Sequence, residues 1–174
     1  MIMTNDSAIE KQLRVFIKNL ESAVLKATGY KDDQSVIYGL SKMCHEQETN
    51  RHIPRFEYRE TEDSESEFYD VMYCDNRQYV AFFLQNKDSE LKEGAMLNPI
   101  SCYVMLKKNG CETAVCGAII NSMRRKHPEI ISASAIGVND VFKGDIKKSI
   151  VNAEDFKFNT LRIDLKVYSN SFCG

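Results

Sequence analysis

The hydrophobic pattern predicts one clear helix near the start of the chain. Between Ser7 and Thr28, apolar residues recur every three or four positions, which is the period of a helix with one buried face. Asp6 or Ser7 can cap the first turn, and Gly29 can adopt the left-handed conformation that ends many helices. We expect most of this face to pack on the core of the domain itself. Phe16 and Leu20 of the same face are candidates for a second contact with a partner.

The pattern after residue 52 is typical of short β-strands. Runs rich in aromatic and β-branched residues are separated by polar stretches, and the last run alternates strictly between apolar and polar positions. Asn109-Gly110, between two such runs, is a strong short-range signal for a β-hairpin. Residues 30–52 allow no firm assignment. The predicted strands lie at 56–58, 68–74, 79–84, 100–107, 112–120 and 161–168.

These elements predict a mostly β fold, an antiparallel β-sandwich with an N-terminal amphipathic helix. We assign residues 1–29 to the helix and residues 30–174 to the sandwich, as a single globular unit. The length of 174 residues suits one domain.

Charge and composition narrow the classes of function. The chain has 23 Lys and Arg against 25 Asp and Glu, a net charge of −2, which makes nucleic acid an unlikely main partner. With 43% hydrophobic and 28% charged residues, it has the composition of a folded protein. No apolar run approaches the roughly 20 residues of a membrane span, and the first residues lack a signal-peptide layout. We therefore expect an intracellular protein, cytoplasmic or nuclear, without a membrane partner.

Catalytic and metal-binding motifs are not found in the sequence. The glycine-rich loops, metalloprotease helix and serine elbow of common enzymes do not occur. The six cysteines lack the paired spacing of zinc sites, so we predict no metal and no cofactor. A cysteine enzyme built from distant residues, such as Cys116 with His127, is an alternative that no local signature supports.

Two charge clusters allow more than one interpretation. Seven acidic residues between 57 and 70 predict a solvated loop over Thr61–Glu67, or an acidic surface for a basic partner. Arg124, Arg125 and Lys126 predict a solvated basic turn at 124–127, or a patch that contacts RNA phosphates. The RNA interpretation would make the chain an RNA-associated scaffold subunit.

Several segments resemble the MATH (TRAF-like) domain, in the divergent form abundant in nematodes. The resemblance covers about residues 46–168 and includes a strand of alternating aromatic and apolar residues, a strand followed by an Asn-Gly turn, and a closing strand after an acidic loop. The corresponding segments are 56–59, 78–84, 101–110, 141–155 and 160–167.

The resemblance implies an eight-stranded antiparallel sandwich that binds short peptides along a strand edge and shallow groove. Such domains are non-enzymatic adaptors, often in ubiquitin ligases or signalling complexes, so the implied partner is a protein or short peptide within a multi-subunit complex. Tyr79 matches a groove aromatic of the family, whereas Ser101 lies where an aromatic is usual. The predicted peptide-binding residues are Tyr79, Phe83, Ser101, Tyr103, and Ile136 and Val138, which stand where Trp and Phe are common.

Overall fold

A computed structural model of the chain describes residues 1–5, 7–48, 50–60, 64–71, 77–107, 112–135 and 158–169. Within these ranges it contains strands, two α-helices and one short 3-10 turn. The elements are β1 (Ile2–Met3), α1 (Ala8–Thr28), β2 (Ser35–Glu46), β3 (Arg51–Tyr58), β4 (Glu67–Asp70), β5 (Tyr79–Gln85), β6 (Glu90–Lys92), β7 (Ala95–Lys107), α2 (Glu112–Lys126), β8 (Ile130–Ala135) and β9 (Phe158–Ser169).

The structure confirms the predicted helix α1, and residues next to its two ends determine where it begins and ends. The Ser7 hydroxyl accepts a hydrogen bond from the Glu10 amide at 3.2 Å, as an N-cap does. Gly29 has φ of 71° and donates its N–H to the Leu25 carbonyl at 2.9 Å, which satisfies one of the last free carbonyls.

The strands form one mixed sheet in the order β4-β3-β2-β5-β7-β9-β8. β1 and β6 pair at its margins, with β2 and β7. A mostly β fold with an N-terminal helix is therefore confirmed. The prediction that all strands are antiparallel is wrong, because β2 and β5 pair in parallel from Ser35–Tyr79 to Ser41–Leu84. The MATH-like sandwich is not confirmed, since the order describes a single open sheet.

Both helices contribute to one core on the same face of the sheet. Leu13, Phe16 and Leu20 of α1 pack with alternate residues of β5, β7 and β9, and α2 adds Cys116, Ile119 and Met123. The N-terminal helix thus belongs to the same hydrophobic core as the strands. Neither of the two described helices is both long and apolar enough to cross a membrane.

The opposite face of β5 and β7 carries a second core. Val80, Phe82 and Met105 pack there with Phe56 of β3 and with Val71, which follows β4. The strands β5 and β7 are therefore buried on both faces, which explains their nearly continuous apolar sequence.

Residues 112–120 were the largest error of the sequence prediction, since they belong to α2 and not to a strand. Cys116, Ile119 and Met123 are buried at spacings of three and four, which is helical. A short apolar run fits either element, and the tertiary contact with α1 decides between them. The Asn109-Gly110 turn lies outside the described residues. The basic residues 124–126 form the last turn of α2 instead of an irregular turn.

Candidate functional site: a cleft where β2 leaves β5

The strand β2 changes its partner half-way along its length. Its first half runs beside β5 and ends with the pair Ser41–Leu84. Its second half, Lys42–Glu46, pairs antiparallel with β3. The pairing register shifts between Ile37 and Leu40, which marks a β-bulge in the first half. β5 therefore no longer accompanies the second half of β2, and a gap opens between these two strands.

The bulge is fixed by a buried carboxylate on α1. Glu10 is only 1% exposed, and its Oε1 accepts a hydrogen bond from the Leu40 amide at 2.9 Å. Its Oε2 accepts one from the Asn5 amide at 3.1 Å. A Cβ atom on Gly39 would lie 2.0 Å from Glu10 Oε1. Position 39 must therefore be glycine for the carboxylate to reach the β2 backbone.

The bulge also sets the direction of the backbone groups that follow it. The Ile37 amide donates to the Met1 carbonyl at 2.9 Å, and the Leu40 amide donates to Glu10, both on the side away from β5. In a regular strand the N–H groups of successive residues point alternately to one side and the other, so the amides of Ile37 and Leu40 should point to opposite sides. They point to the same side, which means that the bulge between them has reversed the alternation. By this alternation, Met43 and His45 direct their N–H and C=O groups to the side that β5 has left.

The pairing of Met43 with Pro54 agrees with this direction. Proline has no N–H to donate, so the Met43–Pro54 pair is best accommodated as a pair without mutual hydrogen bonds. The neighbouring residues Lys42 and Cys44 then make the hydrogen bonds to β3. Among the described residues no strand pairs with this side of Met43 and His45, so their backbone groups form an edge toward the gap.

The gap is a cleft of about 810 Å³. One wall is Leu40–Met43 of β2, and the other is Leu84–Ser89, which comprises the end of β5 and the loop that follows. Leu84 is buried at 4% exposure and gives the cleft an apolar floor, whereas Met43 is 37% exposed at its margin. An open cleft with an apolar floor and a backbone edge can receive an extended chain.

Hydrogen bonds fix the loop wall of the cleft to β7 and β9. Asn98, 1% exposed, donates to the Val167 carbonyl at 3.0 Å and accepts from the Ser89 hydroxyl at 2.5 Å. The Asn86 amide donates to the Pro99 carbonyl at 2.9 Å. The central strands of the sheet therefore set the position of this wall.

An ion pair fixes the charge on the β2 side of the cleft. Lys42 Nζ lies 3.2 Å from Glu57 Oε2. Hydrogen bonds from Ser66, and then from Arg59 and Lys42, lower the pKa of Glu57 to about 2. Glu57 therefore stays ionised at neutral pH and holds the Lys42 ammonium at the rim. Lys87 and Asp88 balance each other on the opposite wall, so the lining carries little net charge.

No model of a known protein family matches the chain. No curated protein is significantly similar to it in sequence. The interpretation of the cleft therefore rests on its geometry.

The predicted peptide-binding residues do not lie on an exposed edge. Tyr79 and Phe83 are fully buried in the core beneath α1, and the rings of Phe83 and Phe16 meet edge-on at 5.9 Å. Ser101 and Tyr103 are buried on β7, with Tyr103 in the core of the other face. The prediction of one exposed edge lined by these four residues is wrong, because β5 and β7 are central strands.

The remaining predicted residues fall into three groups. Phe16 and Leu20 are buried against the sheet, at 1% and 0% exposure, so they cannot offer a second contact surface in this structure. Ile136 and Val138 lie outside the described residues. The three basic residues of the RNA alternative, Arg124, Arg125 and Lys126, are all exposed at the end of α2.

The two residues of the cysteine-enzyme alternative are both buried, Cys116 at 4% and His127 at 5% exposure. His127 Nδ1 lies 2.6 Å from Glu129 Oε1, and its Nε2 lies 3.0 Å from Asn19 Nδ2. Both ring nitrogens thus contact residues other than a cysteine, and the imidazole links α1 to the segment after α2. Burial raises the pKa of the Cys102 thiol, which disfavours its thiolate. Among the described residues, no His, Cys, Asp and Glu side chains group so as to hold a metal ion.

Sequence reasoning missed the residues that form the cleft. The spacing Ser7-x-x-Glu10 is that of a capping box, so it marked Glu10 as a residue with a directed carboxylate. Pro54 within an otherwise strand-like segment marked a strand with one unpaired position. Neither signal could show that Glu10 reaches Leu40, because 30 residues separate them.

Proposed function

We propose that the chain is a non-enzymatic protein-interaction module, which binds an extended peptide segment of another protein in the cleft between β2 and β5. The peptide would add a strand beside Lys42–Glu46 of β2. The observation that carries this proposal is the backbone edge at Met43, which lines the cleft, and at His45 just beyond it. This edge has no strand beside it in the part of the chain that the structure describes. Strand addition supplies affinity through main-chain hydrogen bonds, which such an edge offers.

The chemistry of the cleft favours a peptide over a small charged ligand. Its floor is apolar at Leu84, and the charges on its walls nearly cancel. Backbone pairing needs no net charge, and side chains that alternate along the peptide can use the floor and the rim differently. We expect an apolar residue of the peptide to face Leu84. About five residues of a strand, roughly 16 Å, would cover the free edge.

The resemblance to MATH domains supports the class of function and remains a prediction. That resemblance implies peptide binding along a strand edge, which is the mode that we propose here. The residues differ, because the proposed peptide lies beside β2 and not along Tyr79, Phe83, Ser101 and Tyr103.

Hydrogen exchange tests the proposal directly. A peptide that binds the intact chain is selected from a random display library, synthesised and added to the protein. We expect slower exchange of the Met43 and His45 amides, with little change at Cys44, whose amide already pairs with β3. Protection confined to other elements, or a library that yields no binding peptide, would contradict strand addition at this edge.

A pair of variants at position 43 separates backbone from side-chain contributions. Met43→Pro removes a cleft-facing N–H without removing a bond to β3, so we expect it to abolish binding of the selected peptide. Met43→Ala keeps that N–H and should retain most of the affinity. The melting temperature of each variant reports whether the sheet is intact. If Met43→Pro does not fold, the exchange pattern of the unmodified protein still decides.

An RNA-associated scaffold is the second candidate, favoured by the three consecutive exposed cations at the end of α2. A titration with a single-stranded RNA oligonucleotide at several salt concentrations tests it. Phosphate contacts would give a steep loss of affinity with salt, whereas peptide binding in the nearly neutral cleft should depend on salt only weakly.

A further inference from the structure

A second cleft, of about 510 Å³, lies between the two helices. Its walls are residues 22–27 of α1 and residues 118–126 of α2. Lys126 Nζ lies 3.4 Å from Asn19 Oδ1, so the end of α2 lies beside the middle of α1. The volume is in the range of small-molecule sites. This cleft shares no lining residue with the cleft at β2.

Small residues make room for the cleft. Ala23, Ala27 and Ala118 are all part of its lining. Long side chains at these positions would occupy the space between the helices. The polar residues Ser22, Asn121 and Ser122 complete the walls with hydroxyl and amide groups, which can donate hydrogen bonds to a ligand.

The charge of the helix cleft is wholly positive. Lys26, Arg125 and Lys126 line it, and none of its lining residues is acidic. Lys26 and Arg125 form no ion pair with any residue that the structure describes. Three cations without carboxylates on a protein of net charge −2 are a local concentration of positive charge.

Helix stabilisation explains only part of this arrangement. Cations in the last turn interact favourably with the helix dipole, and this applies to Arg124 as well as to Arg125. The cleft distinguishes these two neighbours, because Arg125 lines it and Arg124 does not. A function in ligand binding therefore requires Arg125 specifically, whereas a function in helix stability does not.

We propose that the cleft between α1 and α2 binds a small molecule that carries two phosphate groups. Arg125 and Lys126 would hold one phosphate, and Lys26 the other. Lys126 lies beside Asn19, and Lys26 is seven residues further along α1, a distance of about 10 Å along the helix axis. Two cationic ends at this separation fit two anionic groups joined by a short neutral body, which the hydroxyl and amide groups between them can bind. This inference is independent of peptide binding at β2.

Calorimetric titration of the intact chain with fructose 1,6-bisphosphate tests the site, with inorganic phosphate as the comparison. We expect the bisphosphate to bind at least about tenfold more tightly, since it engages both ends of the cleft. Lys26→Gln and Arg125→Gln should each weaken its binding by about tenfold or more. Arg124→Gln is the matched control and should change the affinity less than about twofold, although it removes the same charge from the same turn.

A further variant tests whether binding needs the open volume of the helix cleft, without changing its charge. Ala118→Leu fills the cleft from a surface position of α2 and should abolish bisphosphate binding without lowering the melting temperature. It also keeps the proposal testable if Arg125→Gln does not fold.

Three results would overturn the proposal. They are the absence of bisphosphate binding, equal affinity for phosphate and bisphosphate, and equal losses in Arg124→Gln and Arg125→Gln. The last result, together with tight binding of an RNA oligonucleotide, would assign the basic residues to a diffuse surface for nucleic acid.

Discussion

The glycine at position 39 gives the most direct test of how the β2 edge is built. A methyl group there would meet Glu10 Oε1 at 2.0 Å, so in Gly39→Ala the carboxylate must move away. The Leu40 amide then loses its acceptor, and the Asn5 amide loses another. A buried donor without an acceptor costs about 1–3 kcal/mol, and overpacking costs a similar amount. We therefore expect the free energy of unfolding to fall by about 4 kcal/mol.

A double-mutant cycle identifies the cause of this loss. Glu10→Ala removes the same hydrogen bonds without a clash and should cost about 3 kcal/mol. In the double variant the added methyl group no longer meets a carboxylate, and its remaining close contact is Phe56 Cε2 at 3.3 Å. We expect the double variant to be about as stable as Glu10→Ala alone, so that the two effects are far from additive.

Denaturant unfolding measures each variant, and a glycine in α2 provides the control. A Cβ on Gly117 would meet nothing within 4 Å, so Gly117→Ala should stabilise the protein by about 0.5–1 kcal/mol through helix propensity. Additive losses in the cycle, or a Gly39→Ala variant as stable as the unmodified protein, would refute the account of the bulge. The orientation that we infer for the Met43 and His45 backbone groups would then lose its basis.

Three further perturbations test other parts of the structure. The pKa of Glu57 is lowered to about 2, mainly by the hydrogen bond from Ser66. The ionised carboxylate therefore stabilises the folded protein above the ordinary glutamate pKa, and this stability should be lost as the pH falls towards 2. Glu57→Gln should make the melting temperature less dependent on pH in this range. Tyr79→Ala should reduce the free energy of unfolding by about 3–5 kcal/mol in a denaturant titration, because it empties a fully buried site. Asn98→Ala should cost about 2–3 kcal/mol by the same measurement, since it leaves the Val167 carbonyl without that donor, and should speed amide exchange in the loop 86–89.

The sequence predicted the elements whose signals are local. The helix α1 has a cap, a stop and a regular apolar period within 23 residues, and β9 has strict alternation. The helix α2 lacks this redundancy, because its buried residues, such as Ile119, stand in a run that also suits a strand. Its packing beside α1 favours the helix, and this contact joins segments that are far apart in the sequence.

The candidate site was beyond prediction for a different reason. The sequence showed that residues 79–84 and 100–107 are strands, but not that both are central in the sheet. Edge and centre depend on the order of strands, which is a property of the whole chain. The cleft likewise depends on a bulge in β2, and that bulge depends on contact between Gly39 and a carboxylate from the first turn of α1.

The contact between Glu10 and the Leu40 amide links residues 30 positions apart, and so it cannot form before α1 has docked on β2. Until then the bulge between Ile37 and Leu40 lacks the carboxylate that fixes it. A chain in which α1 has not docked consequently lacks the contact that orders the edge at Met43 and His45. Peptide binding at the cleft, as proposed, would therefore depend on the docked helix, so that it reports that α1 and β2 have reached their folded arrangement.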